Sequence, residues 1–189
     1  MHPEKGHHGT AQGGVGFDPN EIDGTRAGRF DGNGYVIFNP FDGFPADEIS
    51  ASFWLRSSDA ANYGTPISYA TAQHNNEFLI YDHKAISPHV SDERLDTYIP
   101  TNDGEWHHIV LTWRSSDGET TMYKDGSAVY SGTMAVGKTL QSGGSLTIGH
   151  EQDSVGGSFE LYQAFIGSID EVAIFNRVLS PEEVLTLFK

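Results

Sequence analysis

The sequence feature that most limits the fold is a series of short segments in which apolar and polar residues alternate, with turn residues between them. Segments 49–57 and 106–113 alternate in this way, which is typical of a strand that buries one face. About ten such segments follow one another, and only segment 180–189 has the pattern of a helix. We therefore predict an all-β fold, a two-sheet antiparallel sandwich of the jelly-roll type with one short C-terminal helix.

The predicted helix has clear start signals. Ser180 is a suitable N-cap, Pro181 occupies the first helical position, and Glu183 completes a capping box. Val184 and Leu187 follow at the spacing of an apolar stripe. Elsewhere the turn residues are those that connect strands. Asp-Gly at 125–126 predicts a hairpin, and Asp-Gly-Asn-Gly at 31–34 predicts a tight turn between two strands.

Charge and composition exclude several classes of function. The chain carries a formal net charge of −15 and has no cysteine among its 189 residues. The phosphates of nucleic acids and of anionic membranes would be repelled, and zinc-thiolate sites and thiol catalysis are ruled out. No apolar run is long enough for a membrane helix, so we expect no membrane insertion.

We expect one domain over residues 17–189, preceded by a linker or weakly held arm over residues 1–16. The start of the chain lacks the apolar core of a signal peptide. Either the chain is cytosolic, or it is one module of a longer exported protein. We favour the exported module.

The candidate binding segment directly follows a predicted strand. Leu146 and Ile148 alternate with polar residues, as in a half-buried strand. If this period continues, Glu151 and Asp153 point into one space, and the side chain of Gln152 is turned away.

Two glycines allow the chain to return to that space. Gly156 and Gly157 can adopt positive φ without a Cβ penalty, and a curl there would bring Glu160 and Gln163 back towards the first two carboxylates. The cluster contains only oxygen ligands, which suits a hard cation such as Ca²⁺.

On composition alone, residues 151–163 could be a solvated acidic loop, because 26 of the 189 residues are acidic. The order of residue types is more specific. Glu-Gln-Asp-Ser at 151–154, Gly-Gly at 156–157, Phe-Glu at 159–160 and Gln163 resemble the calcium loop of the pentraxins, and Leu-Ser-Pro-Glu-Glu-Val at 179–184 resembles their ending. The resemblance implies a concanavalin A-like sandwich, which laminin-G-like domains share.

The resemblance also implies two neighbouring Ca²⁺ ions. Loop 71–76 would contribute to the first, with Asn75 standing where the family has an Asp, and a neutral amide there is expected to weaken the site. Alternatively, Asn75 and Asn76 only shape a turn. The implied ligands of the first ion are Asn75, Asn76, Glu151, the Gln152 carbonyl and Asp153; those of the second are Glu151, Asp153, Glu160 and Gln163.

Other residues follow from the same resemblance. Tyr81 and Tyr162 are candidate platforms for a bound ligand, although Tyr81 could equally be a packing residue. Vertebrate pentraxins carry a disulfide between two neighbouring strands, and its positions fall near Ser52 and Val110, so this chain departs from them.

Catalysis is not expected, although glycosidases share this sandwich. Those enzymes need two carboxylates at a defined separation across the scissile bond. Here Glu160 is separated from Asp153 by the glycine curl, and carboxylates that share Ca²⁺ stay ionised, which prevents general-acid catalysis.

We therefore predict a calcium-dependent carbohydrate-binding (lectin) module in an extracellular or cell-surface adhesin of bacterial type, with glycans as partners held through bound calcium. Two alternatives stay open. One is a pentraxin-like oligomer that binds phosphocholine-type ligands, and the other is a structural spacer in which calcium only stiffens a loop.

Overall fold

The computed structural model describes residues 8–19, 24 and 26–189. They form two seven-stranded sheets, in which every pair of neighbouring strands is antiparallel. The predicted all-β sandwich with one C-terminal helix is thus confirmed. Among the described residues, no helix has the length and apolar character needed to cross a membrane.

The first sheet carries the segments that build the candidate site. Its strands lie in the spatial order β1 (Thr10–Gln12), β4 (Tyr35–Phe41), β13 (Gly144–Ile148), β6 (Ile67–Ala70), β7 (Phe78–Tyr81), β8 (Ser87–Val90) and β9 (Glu93–Arg94).

The second sheet packs against the first across the core. Its order is β12 (Ser127–Thr133), β11 (Glu119–Lys124), β10 (Trp106–Arg114), β5 (Glu48–Arg56), β14 (Ile166–Phe175), β3 (Arg26–Asp31) and β2 (Gly16–Pro19).

The core lies between the sheets and follows the predicted alternation. From the second sheet, Phe53 of β5 and Trp113 of β10 point inward, and from the first sheet Tyr69 and Phe78 meet them; all four are fully buried. Burying a large apolar side chain contributes about 1.5–3 kcal/mol, so this row of aromatic residues is a main source of stability.

The outer face of the second sheet is covered by helix α1 (Pro181–Phe188). Both halves of the capping box form, because Glu183 N–H donates to Ser180 Oγ and Ser180 N–H donates to the Glu183 carboxylate. Val184 is buried against Val110 of β10. The predicted helix is therefore confirmed together with its start.

The two positions implied for a family disulfide are direct cross-strand partners, since Ser52 of β5 pairs with Val110 of β10. Instead of a covalent bond, Ser52 Oγ makes a 2.9 Å hydrogen bond with His108 Nε2. The register of these two strands is therefore kept by backbone pairing and by packing beneath α1.

The number of strands differs from the expectation. The described chain has fourteen strands, because the short strands β1, β2, β8 and β9 add to the expected set. The predicted turn at 31–34 does join two strands, and it leads from β3 in the second sheet to β4 in the first.

The expected arm contains structure of its own. Within segment 1–16, β1 pairs with β4 in the first sheet, and residues 1–7 lie outside the described part of the chain. The exposed side chains of β1 mark it as an edge strand that is held by backbone hydrogen bonds.

Candidate metal centre

The candidate site begins where β13 ends. The expected continuation of the strand period to Asp153 is wrong, because β13 stops at Ile148 and Gly149 has a φ of 88°. Gly149 N–H donates to the Pro66 carbonyl at 3.0 Å, and its own carbonyl accepts from Phe165 N–H at 3.0 Å. The turn at Gly149 therefore sets the direction of the acidic segment.

Gln152 fixes that segment to the sheet. Its amide nitrogen donates to the carbonyls of Ser68 at 3.1 Å and Ser145 at 2.8 Å, and its side-chain oxygen accepts from Ser145 Oγ and from Gly156 N–H. The expectation that the Gln152 side chain turns away from the carboxylates is confirmed. Glu151 and Asp153 on either side of it are left facing one pocket.

The glycine curl forms as expected. Gly156 has a φ of 69°, and Gly157 N–H donates to the Ser154 carbonyl at 3.0 Å. Phe159 then packs on Tyr35, with ring centroids 4.3 Å apart, and on His150 at 5.0 Å. This anchoring returns the chain to a short 3₁₀ helix, Leu161–Gln163.

The loop between β6 and β7 supplies the other side of the site. Asn75 Nδ2 donates to Asp153 Oδ1 at 3.1 Å, which joins this loop directly to the acidic segment. Asn76 N–H donates to Asp92 Oδ1 at 3.3 Å, and His74 Nδ1 lies 2.6 Å from Asp92 Oδ2. Two segments whose joined residues are 78 positions apart in sequence therefore meet here.

A buried carboxylate supports this loop from below. Glu77 is fully buried, and it accepts from Thr71 Oγ1 at 3.1 Å and from Gln141 N–H at 2.7 Å. Thr71 Oγ1 in turn accepts from His74 N–H at 3.2 Å. Because all these partners are internal, the loop is already shaped before any ligand binds.

The pocket between the two segments has a volume of about 100 Å³. Its polar wall consists of Asn76, Glu151, Asp153 and Gln163. Three side-chain oxygens, one each from Asn76, Glu151 and Gln163, are buried without a hydrogen-bond partner. Buried acceptors without partners are rare and costly, and three in one small pocket form a donor set with the chemistry that a hard cation requires.

The electrostatics point in the same direction. Burial, together with the nearby charges of Asp153 and Glu160, raises the pKa of the Glu151 carboxyl to about 8. Only 1% of Glu151 is exposed. A calcium ion would remove both causes, because it replaces lost hydration and neutralises the neighbouring carboxylates.

The donor set fits a hard cation but depends on amides. Within the described chain, no three His, Cys, Asp or Glu side chains come close enough to hold a metal by themselves. The exposed Glu160 acts on Glu151 through its charge, and it does not line the pocket. Amide oxygens complete the set, which suits Ca²⁺ better than zinc.

The two expected ligand platforms occupy different places. Tyr81 lines the pocket with Leu79 and His89, and burial raises the pKa of its hydroxyl to about 12. Tyr162 lies outside the pocket, is 52% exposed, and contacts the ring of Tyr63 edge-on at 6.3 Å.

Sequence reasoning missed His89, Asp92 and Glu77. His89 lies in a strand that contains Pro88, and because proline is unfavourable within strands, the sequence does not predict a strand there. Burial lowers the pKa of the His89 imidazole to about 4, so it is neutral near pH 7. Glu77 had one usable signal, a charged residue at the start of an otherwise apolar strand segment.

Comparison with known proteins gives a family and several relatives. A model of the pentaxin family matches residues 29–189. The rat protein "Sushi, von Willebrand factor type A, EGF and pentraxin domain-containing protein 1" is 43% identical over 142 residues, which is 74% of this chain and 4% of that protein. Neuronal pentraxin-2 of the guinea pig is 38% identical over 134 residues, which is 69% of this chain and 31% of that protein.

Solved structures share the fold. The heptameric SAP-like pentraxin from Limulus polyphemus superposes with a TM-score of 0.71 at 22% identity, over 93% of this chain and 81% of that one. Domain 4 of the arabinanase AbnA from Geobacillus stearothermophilus, determined in complex with arabinotriose, gives a TM-score of 0.69 at 19% identity, over 96% of this chain and 88% of that one. The chain spans about a third or less of the curated relatives named above.

Proposed function

Because this chain belongs to the pentaxin family, we propose that it is a ligand-binding module that works through bound calcium. The family consists of non-enzymatic binding proteins, which agrees with the expectation that this chain is not an enzyme. The expected bacterial adhesin is not supported, because the curated relatives named above are rat and guinea-pig proteins.

The observation that carries the proposal is the pocket with its three unpartnered oxygens. Asn76, Glu151 and Gln163 each direct a buried acceptor into it, and Asp153 adds a second carboxylate. We propose that the first ion is held by Asn75, Asn76, Glu151, the Gln152 carbonyl and Asp153. The second ion would be held by Glu151, Asp153, Glu160 and Gln163.

When bound, calcium would supply coordination positions that ligand oxygens can fill. The other contacts to the ligand would come from side chains of this chain. Tyr81 and Leu79 offer an apolar wall to the carbon skeleton of the ligand, and the neutral imidazole of His89 presents an unpartnered Nε2 in the same place. Two ligand classes suit such a centre, the phosphate of a phosphocholine-type ligand and the vicinal hydroxyls of a sugar.

We also propose an extracellular location for the parent protein. Extracellular calcium modules have dissociation constants of about 10⁻⁴–10⁻³ M. Asn75 puts a neutral amide where a carboxylate would strengthen the site, and such a weakened site suits an environment rich in calcium. The oligomer is tested separately by measuring mass in solution.

Retention on two resins tests the function. The full chain is applied in calcium to phosphocholine resin and to dextran resin, and we expect at least one of them to retain it until EDTA is added. Asp153→Ala should abolish that retention. Retention that survives both EDTA and Asp153→Ala would contradict the proposal. Calcium binding without any retained ligand would favour the spacer role.

Asn75→Asp tests the placement of the β6–β7 loop. We expect it to tighten calcium binding by roughly five- to tenfold, since an added unit charge about 4 Å from another contributes about 1 kcal/mol even in water. Without calcium, the new carboxylate faces Asp153 and should lower the melting temperature slightly. Isothermal titration calorimetry measures the affinity, and Ser131→Asp on the edge strand β12 of the other sheet is the charge-matched control. Weaker calcium binding in Asn75→Asp would remove Asn75 from the site.

A further inference from the structure

A second cavity opens beside the calcium pocket. It has a volume of about 240 Å³, and Tyr81 lines both cavities. Enclosed sites for whole small ligands usually measure about 300–1,000 Å³. Each cavity alone is therefore small for a complete ligand, and the shared wall makes them adjoining parts of one surface.

Exposed aromatic rings are concentrated around this second cavity. Four aromatic side chains among the described residues are exposed, namely Phe17, Tyr63, Tyr98 and Tyr162. Tyr63 and Tyr98 line this cavity, and Tyr162 contacts the Tyr63 ring edge-on. Tyr63 lies parallel to Tyr81, with ring centroids 5.8 Å apart and an angle of 15° between the rings. Two exposed aromatic rings, those of Tyr63 and Tyr98, therefore lie at one opening.

Tyr98 is the most exposed of them. It is 77% exposed, and its φ is 58°, a conformation that bulky residues rarely adopt. The surrounding chain imposes this conformation, because Thr97 Oγ1 donates to the Ile86 carbonyl at 2.7 Å and Ile86 N–H donates to the Ile99 carbonyl at 3.0 Å. A strained backbone that holds an aromatic ring in water, at the rim of a cavity, is the arrangement expected of a binding residue.

The charges around the cavity are balanced. Arg94 Nε lies 3.2 Å from Asp96 Oδ1, and Lys84 Nζ lies 4.4 Å from the centre of the Tyr63 ring. Asp82 lines the cavity as well. A charged ligand, whether cationic or anionic, would be attracted by the charges of one sign and repelled by those of the other. A neutral ligand with many hydroxyl groups can use both, because carboxylates accept hydrogen bonds from hydroxyls while Arg94 and Lys84 donate to them.

We propose that this cavity is a second saccharide subsite, in which a neutral oligosaccharide held at one end by the calcium centre continues past Tyr81 and lays its next ring on Tyr98. The proposal rests on the calcium-dependent binding proposed above. It narrows the ligand from any oxygen-rich group to a chain of at least two sugar rings. A phosphocholine-type ligand would fill the calcium pocket without needing the second cavity.

A glycan array that carries each sugar as a series from one to four units tests this inference in calcium. For the wild type we expect the bound signal to rise at least about tenfold from monosaccharide to trisaccharide, equivalent to about 1.4 kcal/mol. Tyr98→Asn removes the ring but tolerates positive φ, and it should lower the signal for long chains to that of the monosaccharide. Phe17→Asn, at an exposed aromatic residue of β2, is the matched control and should change nothing.

Melting curves of the same variants, with and without calcium, test the calcium centre separately from the second subsite. If calcium does not raise the melting temperature of the wild type, the calcium centre itself is wrong. If calcium acts as expected but the signal is independent of chain length, or is unchanged in Tyr98→Asn, the second subsite is overturned while the calcium centre stands. Binding to phosphocholine resin without any glycan signal would overturn the second subsite in the same way.

Discussion

Replacing Glu151 by glutamine is expected to raise the melting temperature of the calcium-free protein at pH 8 and to remove most of the response to calcium. Glu151 is buried, and its pKa in the folded protein is raised to about 8 from an ordinary value of 4.5. Above pH 8 the folded chain must hold a buried charge next to Asp153 and Glu160. Glutamine has the same shape without that charge.

The direction of the pH dependence follows from the raised pKa. Between pH 4.5 and 8, the folded state of the calcium-free wild type binds more protons than the unfolded state at Glu151, so its free energy of unfolding falls as the pH rises. The loss across this window is on the order of 3–5 kcal/mol, or roughly 5–15 °C in melting temperature. This part of the slope should be missing in Glu151→Gln.

Calcium reverses the loss in the wild type. A ligand that binds only the folded state stabilises it by about 2.7 kcal/mol at one hundred times its Kd. Melting curves at pH 5 and pH 8, with calcium and with EGTA, measure both effects. Glu105→Gln removes an exposed carboxylate elsewhere and should behave like the wild type. A Glu151→Gln variant that keeps the full calcium response would show that Glu151 is not a calcium ligand.

The second large effect is expected for Gly149→Ala, at the turn that aims the acidic segment. Gly149 has a φ of 88°, and a Cβ there would come within 2.3 Å of the Phe30 ring. The backbone strain costs about 1–2 kcal/mol, and displacing a buried side chain adds about 1–3 kcal/mol. We therefore expect the melting temperature to fall by roughly 5–15 °C and calcium binding to weaken with it, because Glu151 follows two residues later.

Gly43→Ala separates the two contributions. Gly43 has a similar φ of 78°, but a Cβ there would have no atom within 4 Å, so only the backbone strain remains. The difference between the two variants isolates the contact with Phe30. Adding Phe30→Leu to Gly149→Ala should recover part of the loss, since the two positions share one space. Equal losses in Gly43→Ala and Gly149→Ala would contradict this explanation.

Local patterns were sufficient for most of the elements but not for their arrangement. The alternation in β5 and β10 and the capping box of α1 depend on neighbouring residues, and they are present as predicted. The partner of each strand depends on the whole chain. The turn at 31–34 was therefore recognised as a turn, whereas its role in leading the chain from the second sheet to the first could not be read from four residues.

In the candidate site, too, the local sequence pattern predicted some features and missed those that depend on distant residues. The sequence motif predicted Glu151, Asp153 and Gln163 as ligands, and the structure places all three around one pocket. A continuing strand does not bring them there, because β13 ends before Gly149. Gln152 is turned away by its own hydrogen bonds to Ser68 and Ser145. Glu77 accepts from Gln141 N–H, 64 residues away, and a long-range contact of that kind leaves little trace in a local sequence pattern.

The position of β14 also has a consequence for synthesis. This strand comes after all the other described strands in the sequence, yet it lies between β5 and β3 in the second sheet. A ribosome-bound nascent chain therefore carries two open strand edges until residues 166–175 emerge, and such edges are prone to aggregation. Pairing between distant segments is also slow, on the scale of about milliseconds to seconds. Gln163 emerges just before β14, so the pocket that it lines and the second sheet are completed at nearly the same point of synthesis.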